Sequence, residues 1–358
     1  MTRLKIDKAL RMTALLAGLL ALAASCDRNR IDPAPEETCD VEFRLTTEGE
    51  TRATGVSAAN EERINRWALF VFRNGTLVAS GTSGSSASIT KTLTSGATYN
   101  VYAVVNYVTS GTGSFNPSSV TTESALTGTV SYLAGNSLTS LQMYGADTFT
   151  ATGGSQTKNI PVYRLVSKVG VKKVTVNMSN PAIAAQTFIL NNIWMDNVYS
   201  RTTFGSDYTY NQLSATRSMW YNTMNRHASG SCTNPSCPDT ILEDWGINAT
   251  VAQGSSHNVE HWFYVVPNAT TTAQDNRTSS WSRRCTRLVI QATIGGKVNY
   301  YVVTLPGMLR NNSYTINDAV ITNTGSEDPE QVVPGSINVV FSTSDPTWDG
   351  PVTITEES

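Results

Sequence analysis

Ile64-Asn-Arg-Trp-Ala-Leu-Phe-Val-Phe72, then Arg73, Asn74-Gly75 and Thr76-Leu-Val-Ala79, is the stretch that sets the fold class. Two short runs rich in β-branched and aromatic residues meet at Asn-Gly, a pair that adopts the positive φ angles of a tight hairpin turn at little cost. The runs are too short and too apolar to be amphipathic helices, so they read as paired strands.

The same grammar extends in both directions. Tyr99 to Tyr107 reads as a strand, Ser110 to Ser119 as a Gly/Ser loop, and Glu123 to Leu133 as a region holding a short helix. Asn159 to Asn177 contains two strands near a domain junction, and Thr187 to Val198 and Val259 to Val266 are further strands. Leu288 to Ile294 and Val298 to Leu305 form a second hairpin over Gly295-Gly296, and Tyr314 to Ile321 adds another strand. Many strands, few helices and regular turn signals predict two β-sandwiches in series. Gly325 to Pro334 reads as a linker to the C-terminal strands. No internal repeat is visible.

The two ends of the chain are unusual. Arg3, Lys5, Lys8 and Arg11 precede an apolar run from Thr13 that ends in Ala23-Ala24-Ser25-Cys26. That is the pattern of a secretory leader, residues 1–25, too short to span a bilayer and placed so that Cys26 is the lipidation site. Asp27 to Thr38 reads as a polar tether. Val41, Phe43 and Leu45 then alternate with polar residues as a half-buried strand does, ahead of a lone Arg52-Ala53 junction in a polar stretch. Past the linker, the alternation returns as Ile337, Val339, Phe341 and again as Val352, Ile354. A strand removable at one end and replaceable from the other suits a self-assembling subunit.

Composition excludes several classes. The 358 residues carry a net charge of −2, which offers no basic field for nucleic acid or anionic lipid. His257-Asn-Val-Glu260-His261 matches an inverted zinc-protease pattern, but that chemistry requires a helix. On an extended strand its imidazoles would stand roughly 13 Å apart, too far for one metal. Cys232 and Cys237 flank Asn234-Pro235 and form the first disulfide candidate for an exported chain. Pairing of either with Cys285 is the alternative, and a metal site that includes His227 is a third reading. Cys39 precedes Arg52 and would leave with the cleaved segment. Arg283-Arg284, with Arg277 and Arg287, reads as a solvated loop or edge charge. The aromatic residues scatter at β-spacing rather than forming a stacking platform. No nucleophilic triad, phosphate loop or carboxylate dyad emerges, so no enzyme, cofactor or metal is expected.

Four blocks carry a resemblance: Tyr99-Asn-Val-Tyr-Ala-Val-Val-Asn106, Tyr163-Arg164-Leu-Val-Ser-Lys168-Val169, Phe263-Tyr-Val-Val-Pro267-Asn268 and Leu309-Arg310-Asn311-Asn312-Ser-Tyr314. In order and spacing they are similar to the recurring blocks of the Bacteroidales fimbrillins, the FimA-like subunits of type V pili. The resemblance implies an all-β chain of two transthyretin-like, Greek-key β-sandwich domains (53–163 and 164–325), with few short helices and a donor-strand region at 326–358. It also implies a propeptide, 26–52, anchored in the outer membrane through lipid on Cys26. A trypsin-like, Arg-specific protease would cut at Arg52-Ala53 and remove the strand of Val41, Phe43 and Leu45. A neighbour's donor strand from the region of Ile337, Val339, Phe341, Val352 and Ile354 would then replace it. The implied partners are other copies of the chain and related anchor and tip subunits, in an extracellular fimbria that serves adhesion and colonisation. A shaft subunit is expected first, a tip adhesin second. A monomeric surface glycan-binding lipoprotein is the rival from another class.

Overall fold

A computed structural model describes residues 36–46, 58–85, 87–222, 239–271 and 282–342. The compact unit from Cys39 onward is built almost wholly from strands. Its first nine are β1 (Thr38–Thr46), β2 (Trp67–Arg73), β3 (Thr76–Ser83), β4 (Ile89–Thr94), β5 (Thr98–Val105), β6 (Val130–Tyr132), β7 (Met143–Thr150), β8 (Gln156–Pro161) and β9 (Tyr163–Arg164). They form a five-stranded sheet of order β3-β2-β5-β7-β9 and a three-stranded sheet of order β4-β1-β8, while β6 pairs elsewhere. The β2–β3 hairpin turns at Asn74 and Gly75, with φ of 53° and 77°, as the Asn-Gly pair predicts.

Strand β2 explains why its sequence is continuously apolar. Alternate residues of a strand face opposite sides of the sheet, and here both sides are covered. Trp67, Leu69 and Val71 enter the main core, shared with the small sheet. Ala68, Phe70 and Phe72 enter a second core under Phe115, Val120, Leu126 and Phe204. Leu126 comes from the short helix Glu123–Thr127, which Thr122 caps by accepting a hydrogen bond from the Ala125 amide at 3.2 Å.

The remaining strands are β10 (Ser167–Val171), β11 (Val174–Val176), β12 (Phe188–Asp196), β13 (Val198–Tyr199), β14 (Arg201–Thr203), β15 (Trp220–Tyr221), β16 (Glu243–Asp244), β17 (Ala249–Val251), β18 (Ser256–His257), β19 (His261–Val265), β20 (Arg287–Ile294), β21 (Lys297–Thr304), β22 (Ser313–Ile321) and β23 (Ile337–Ser342). One sheet centres on β22, which runs parallel to β10 and β11 on one edge and antiparallel to β23 on the other. Strands β19 and β18 continue this sheet beyond β10 and β11. A facing sheet runs β16-β12-β20-β21, with β17 also on β12. The β20–β21 hairpin turns at Gly295-Gly296, both at positive φ, as expected from the sequence.

A buried polar cluster ties the start of the described body, after residue 57, to the β22-centred sheet. Glu61, 2% exposed, closes the short helix Ala58–Glu61. Its carboxylate lies 2.8 Å from the Lys168 ammonium and accepts a hydrogen bond from the Tyr264 hydroxyl. Its carbonyl accepts from Arg164 Nε at 3.3 Å. Burial, followed by the Glu61 carboxylate, pushes the Tyr264 phenol far above the usual tyrosine range, so it stays a donor. Lys168 also lies 4.3 Å from the centre of the Trp262 ring. That ring lies so close to Gly170 that a Cβ there would sit 2.2 Å from it, so any side chain at this position would have to displace the ring.

Removing one partner of a buried ion pair leaves the other charge without its counter-ion, at a cost of about 3–5 kcal/mol. Glu61→Ala should lose that much in urea unfolding, and Glu61→Leu combined with Lys168→Met should regain most of it. A single-variant loss below about 1 kcal/mol, the range of an exposed pair, would contradict the assignment.

The slot of strand β1 as candidate functional site

Strand β1 is the middle strand of its sheet, held by β4 on one edge and β8 on the other. It runs parallel to β8, with Val41 opposite Gln156, Phe43 opposite Lys158 and Leu45 opposite Ile160. Parallel pairing cannot come from a hairpin, so β1 reaches this position from a distant part of the sequence.

Its alternation is realised residue by residue. Cys39, Val41, Phe43 and Leu45 are buried (3%, 0%, 0% and 7% exposed) and belong to the main core. The Phe43 ring meets Phe149 of β7 edge-on, centroids 5.6 Å apart, which locks the small sheet onto the large one. The opposite face is polar. Arg44 lies 2.9 Å from Glu42, and Thr92 of β4 donates to Asp40 at 2.7 Å. The Ser88 hydroxyl, then Arg44, hold the Glu42 carboxyl below the usual carboxylate range. These exposed contacts align the strand, but the apolar row holds it, since solvent-exposed ion pairs contribute little.

Burying the apolar row contributes roughly 1.5–3 kcal/mol for each of its large side chains. Each ladder hydrogen bond adds about 1 kcal/mol. Without β1 the facing edges of β4 and β8 lose their partner, and the core opens along the line of Val41, Phe43 and Leu45. Such a slot accepts an extended segment with an apolar residue at every second position, which is strand addition.

The C-terminal alternation occupies a different place. Strand β23 lies along β22 of its own chain, with Ile337 opposite Ile321, Val339 opposite Ala319 and Phe341 opposite Ile316. Ile337 and Val339 are half-buried against the core. Cys26, Arg52, Ala53, Val352, Ile354, Cys232, Cys237, His227 and Arg277 lie outside the described residues. Cys285 is a buried free thiol that donates to the Thr270 carbonyl at 3.3 Å. It is therefore not a disulfide partner in this structure, and burial raises its thiol above the ordinary range.

Two expectations are corrected. His257 and His261 are not about 13 Å apart, because the chain between them is not a continuous strand. Val174 pairs with His257 and Val171 with His261, so Lys172-Lys173 stands opposite the longer Asn258-Val259-Glu260. That bulge draws the rings to a centroid separation of 5.4 Å. Arg284 and Arg287 are not solvated charge either. Arg284 and Arg287 are each 4% exposed, and Glu330 engages both, with its carbonyl accepting from Arg287 at 2.9 Å and its carboxylate 3.7 Å from Arg284. Arg283 donates to the Leu213 carbonyl at 2.6 Å. The sequence carried no sign of this, because the acceptors are backbone carbonyls and a linker glutamate. Among the described residues, no group of three or more His, Cys, Asp or Glu side chains is placed to hold a metal ion.

Cys39 supplies a built-in reporter for the slot. In the full-length chain its thiol should react slowly with a maleimide, and Phe43→Asp should speed that reaction at least about tenfold by forcing β1 out. Equal rates would mean that the apolar row does not hold the strand.

Neither a protein-family model nor a curated protein sequence matches the chain. Solved structures do. A candidate cell adhesion protein from Bacteroides eggerthii superposes with a TM-score of 0.61 at 21% identity, covering 87% of this chain and 96% of its own. A fimbrilin from Porphyromonas gingivalis superposes with a TM-score of 0.58 at 16% identity, covering 89% and 99%. A candidate cell adhesion protein from Parabacteroides distasonis gives 0.57 at 14%, also covering 89% and 99%. Nearly end-to-end superposition at such low identity is a statement about architecture: the chain has the all-β sandwich fold of the fimbrilins.

Proposed function

We propose that the chain is a structural subunit of a surface fimbria, most simply of its shaft, which polymerises by exchange of strand β1. The observation that carries this reading is the central position of β1 between β4 and β8, with its apolar row at the core. An ordinary terminal strand sits at an edge, where its loss costs one ladder. Loss of β1 unpairs two strands and opens the core, a state that demands replacement.

The order of events is the one that the resemblance to fimbrillins implies. Lipid on Cys26 holds the precursor at the outer membrane. An Arg-specific protease cuts at Arg52-Ala53, within the eleven residues between Thr46 and Ala58, so that β1 leaves with residues 26–52. A neighbouring subunit then supplies the replacement. Donor and slot are different surfaces, so the contact is head-to-tail and builds an open filament rather than a closed ring. The fold shared with a fimbrilin and with candidate adhesion proteins supports a role at the cell surface in adhesion.

The pairing of β23 with β22 bears on which segment is donated. Ile337, Val339 and Phe341 already complete a sheet in their own chain, and releasing them would expose the edge of β22. We therefore assign donation to the segment after Ser342, whose alternation is Val352, Ile354, with β23 as its fixed base.

Trypsin-like cleavage of the purified full-length chain tests the reading. It should yield a new N-terminus at Ala53 and a ladder of oligomers that resists SDS. Deletion of residues 343–358 should leave the cleaved chain monomeric while β23 stays paired. A cleaved full-length chain that remains monomeric, or a truncated one that still polymerises, would overturn the assignment.

A further inference from the structure

The segment assigned as donor can be laid along β1 without a gap. Thr347-Trp-Asp-Gly-Pro-Val-Thr-Ile-Thr-Glu-Glu-Ser358 then falls on Thr38-Cys-Asp-Val-Glu-Phe-Arg-Leu-Thr-Thr-Glu-Gly49. Thr347, Asp349, Thr355 and Glu357 repeat Thr38, Asp40, Thr46 and Glu48, and Ile354 stands for Leu45. One repeated position has a visible partner in the slot. Asp40 accepts a hydrogen bond from Thr92 of β4 at 2.7 Å, and Asp349 offers the same carboxylate. Strand β23 does not. With Ile337, Val339 and Phe341 set on Val41, Phe43 and Leu45, it would bring Ser336 to that place.

Burial selects the same register by a different route. A slip of one residue turns the apolar row of a strand to its solvent face, so only even shifts keep Val352 and Ile354 inside. With Ile354 at the place of Phe43, Glu356 would stand at that of Leu45, which is 7% exposed in the core row. An unpaired carboxylate there is costly. With Ile354 carried two residues past Leu45, Gly350 would stand at the place of Phe43 and the edge-on contact with Phe149 would be lost. The register of the sequence match avoids both penalties, since Val352 and Ile354 fill the row and Glu356 lies beyond it. Gly350 then brings no side chain to the place of Val41, and Pro351 no amide hydrogen to that of Glu42. The half of the donor from Val352 onward therefore carries the contact.

We infer that residues 347–355 of a neighbouring copy enter the slot in the direction of β1, with Val352 at the place of Phe43 and Ile354 at that of Leu45. This rests on strand exchange as proposed above and adds its register and direction. The slot thereby selects a segment by its match to β1 at Asp40, Phe43 and Leu45, and not by apolar alternation alone. Because β1 runs parallel to β8 with Glu42 opposite Thr157 and Arg44 opposite Asn159, the inferred register sets the donor's Thr353 opposite Asn159 of the receiving chain. The shift that buries Glu356 would set Thr353 opposite Thr157 instead.

Disulfide trapping in the full-length chain measures the register directly. All chains carry Cys232→Ser and Cys237→Ser, and cleavage at Arg52-Ala53 removes Cys26 and Cys39. Thr157 and Asn159 are both exposed, so a cysteine at either place is equally open to a partner. Cleaved chains bearing Thr353→Cys should crosslink on oxidation to chains bearing Asn159→Cys at least about tenfold more than to chains bearing Thr157→Cys, since a disulfide tolerates little error in Cα separation. Glu356→Leu removes the charge that excludes the shifted register, so adding it to the Thr353→Cys chain should raise the crosslink to Thr157→Cys. A preference for Thr157→Cys without Glu356→Leu, or equal yields at the two positions, would overturn the register and leave strand exchange standing. A cleaved wild-type chain that forms no SDS-resistant ladder would overturn both.

Discussion

One strand holds the first sandwich closed. β1 inserts between β4 and β8 and places Val41, Phe43 and Leu45 in the core, with Phe43 wedged edge-on against Phe149 of the opposite sheet. It pairs in parallel with residues 156–161, far along the chain. In the proposed exchange, the physical demand that β1 satisfies, an apolar row plus two ladders, passes unchanged to the strand that replaces it.

The contacts that bind the rest of the structure together leave β1 aside. Glu61 is locked by Lys168, Tyr264 and Arg164, so the chain after residue 57 is fixed to the β22-centred sheet. Arg310 binds Asp207 at 2.5 Å and the carbonyls of Phe204 and Thr203 at 2.8 and 3.1 Å, which fastens the loop before β22 to the chain beside β14. Strand β14 in turn pairs with β6, so polypeptide from beyond residue 200 is woven into the first half of the molecule. None of these contacts involves β1.

The legible parts of the fold were those governed by local chemistry. The Asn74-Gly75 and Gly295-Gly296 turns were readable because few residues accept their backbone angles. The alternation of Val41, Phe43 and Leu45 was readable because one face of β1 is core and the other water. What failed depended on partners remote in sequence. Two histidines four residues apart looked too distant because a bulge is set by the opposite strand, not by the residues between them. Arg284 and Arg287 looked like surface charge because their acceptors belong to Glu330. Glu61 gave no sign of its burial, since nothing around it in the sequence is apolar enough to suggest a core position. The central place of β1 between β4 and β8 was likewise invisible, because both partners are distant in sequence.

The most direct test follows the backbone amides of β4 and β8 by hydrogen exchange through three states: intact chain, cleaved chain with β1 washed away, and assembled polymer. Strand exchange predicts strong protection on the edges that face β1 in the intact chain. Protection should fall there at least about a hundredfold on removal and return in the polymer, while β12 and β20 stay protected throughout. Amides of β4 and β8 that remain protected after β1 has gone, or that stay open in the polymer, would contradict it.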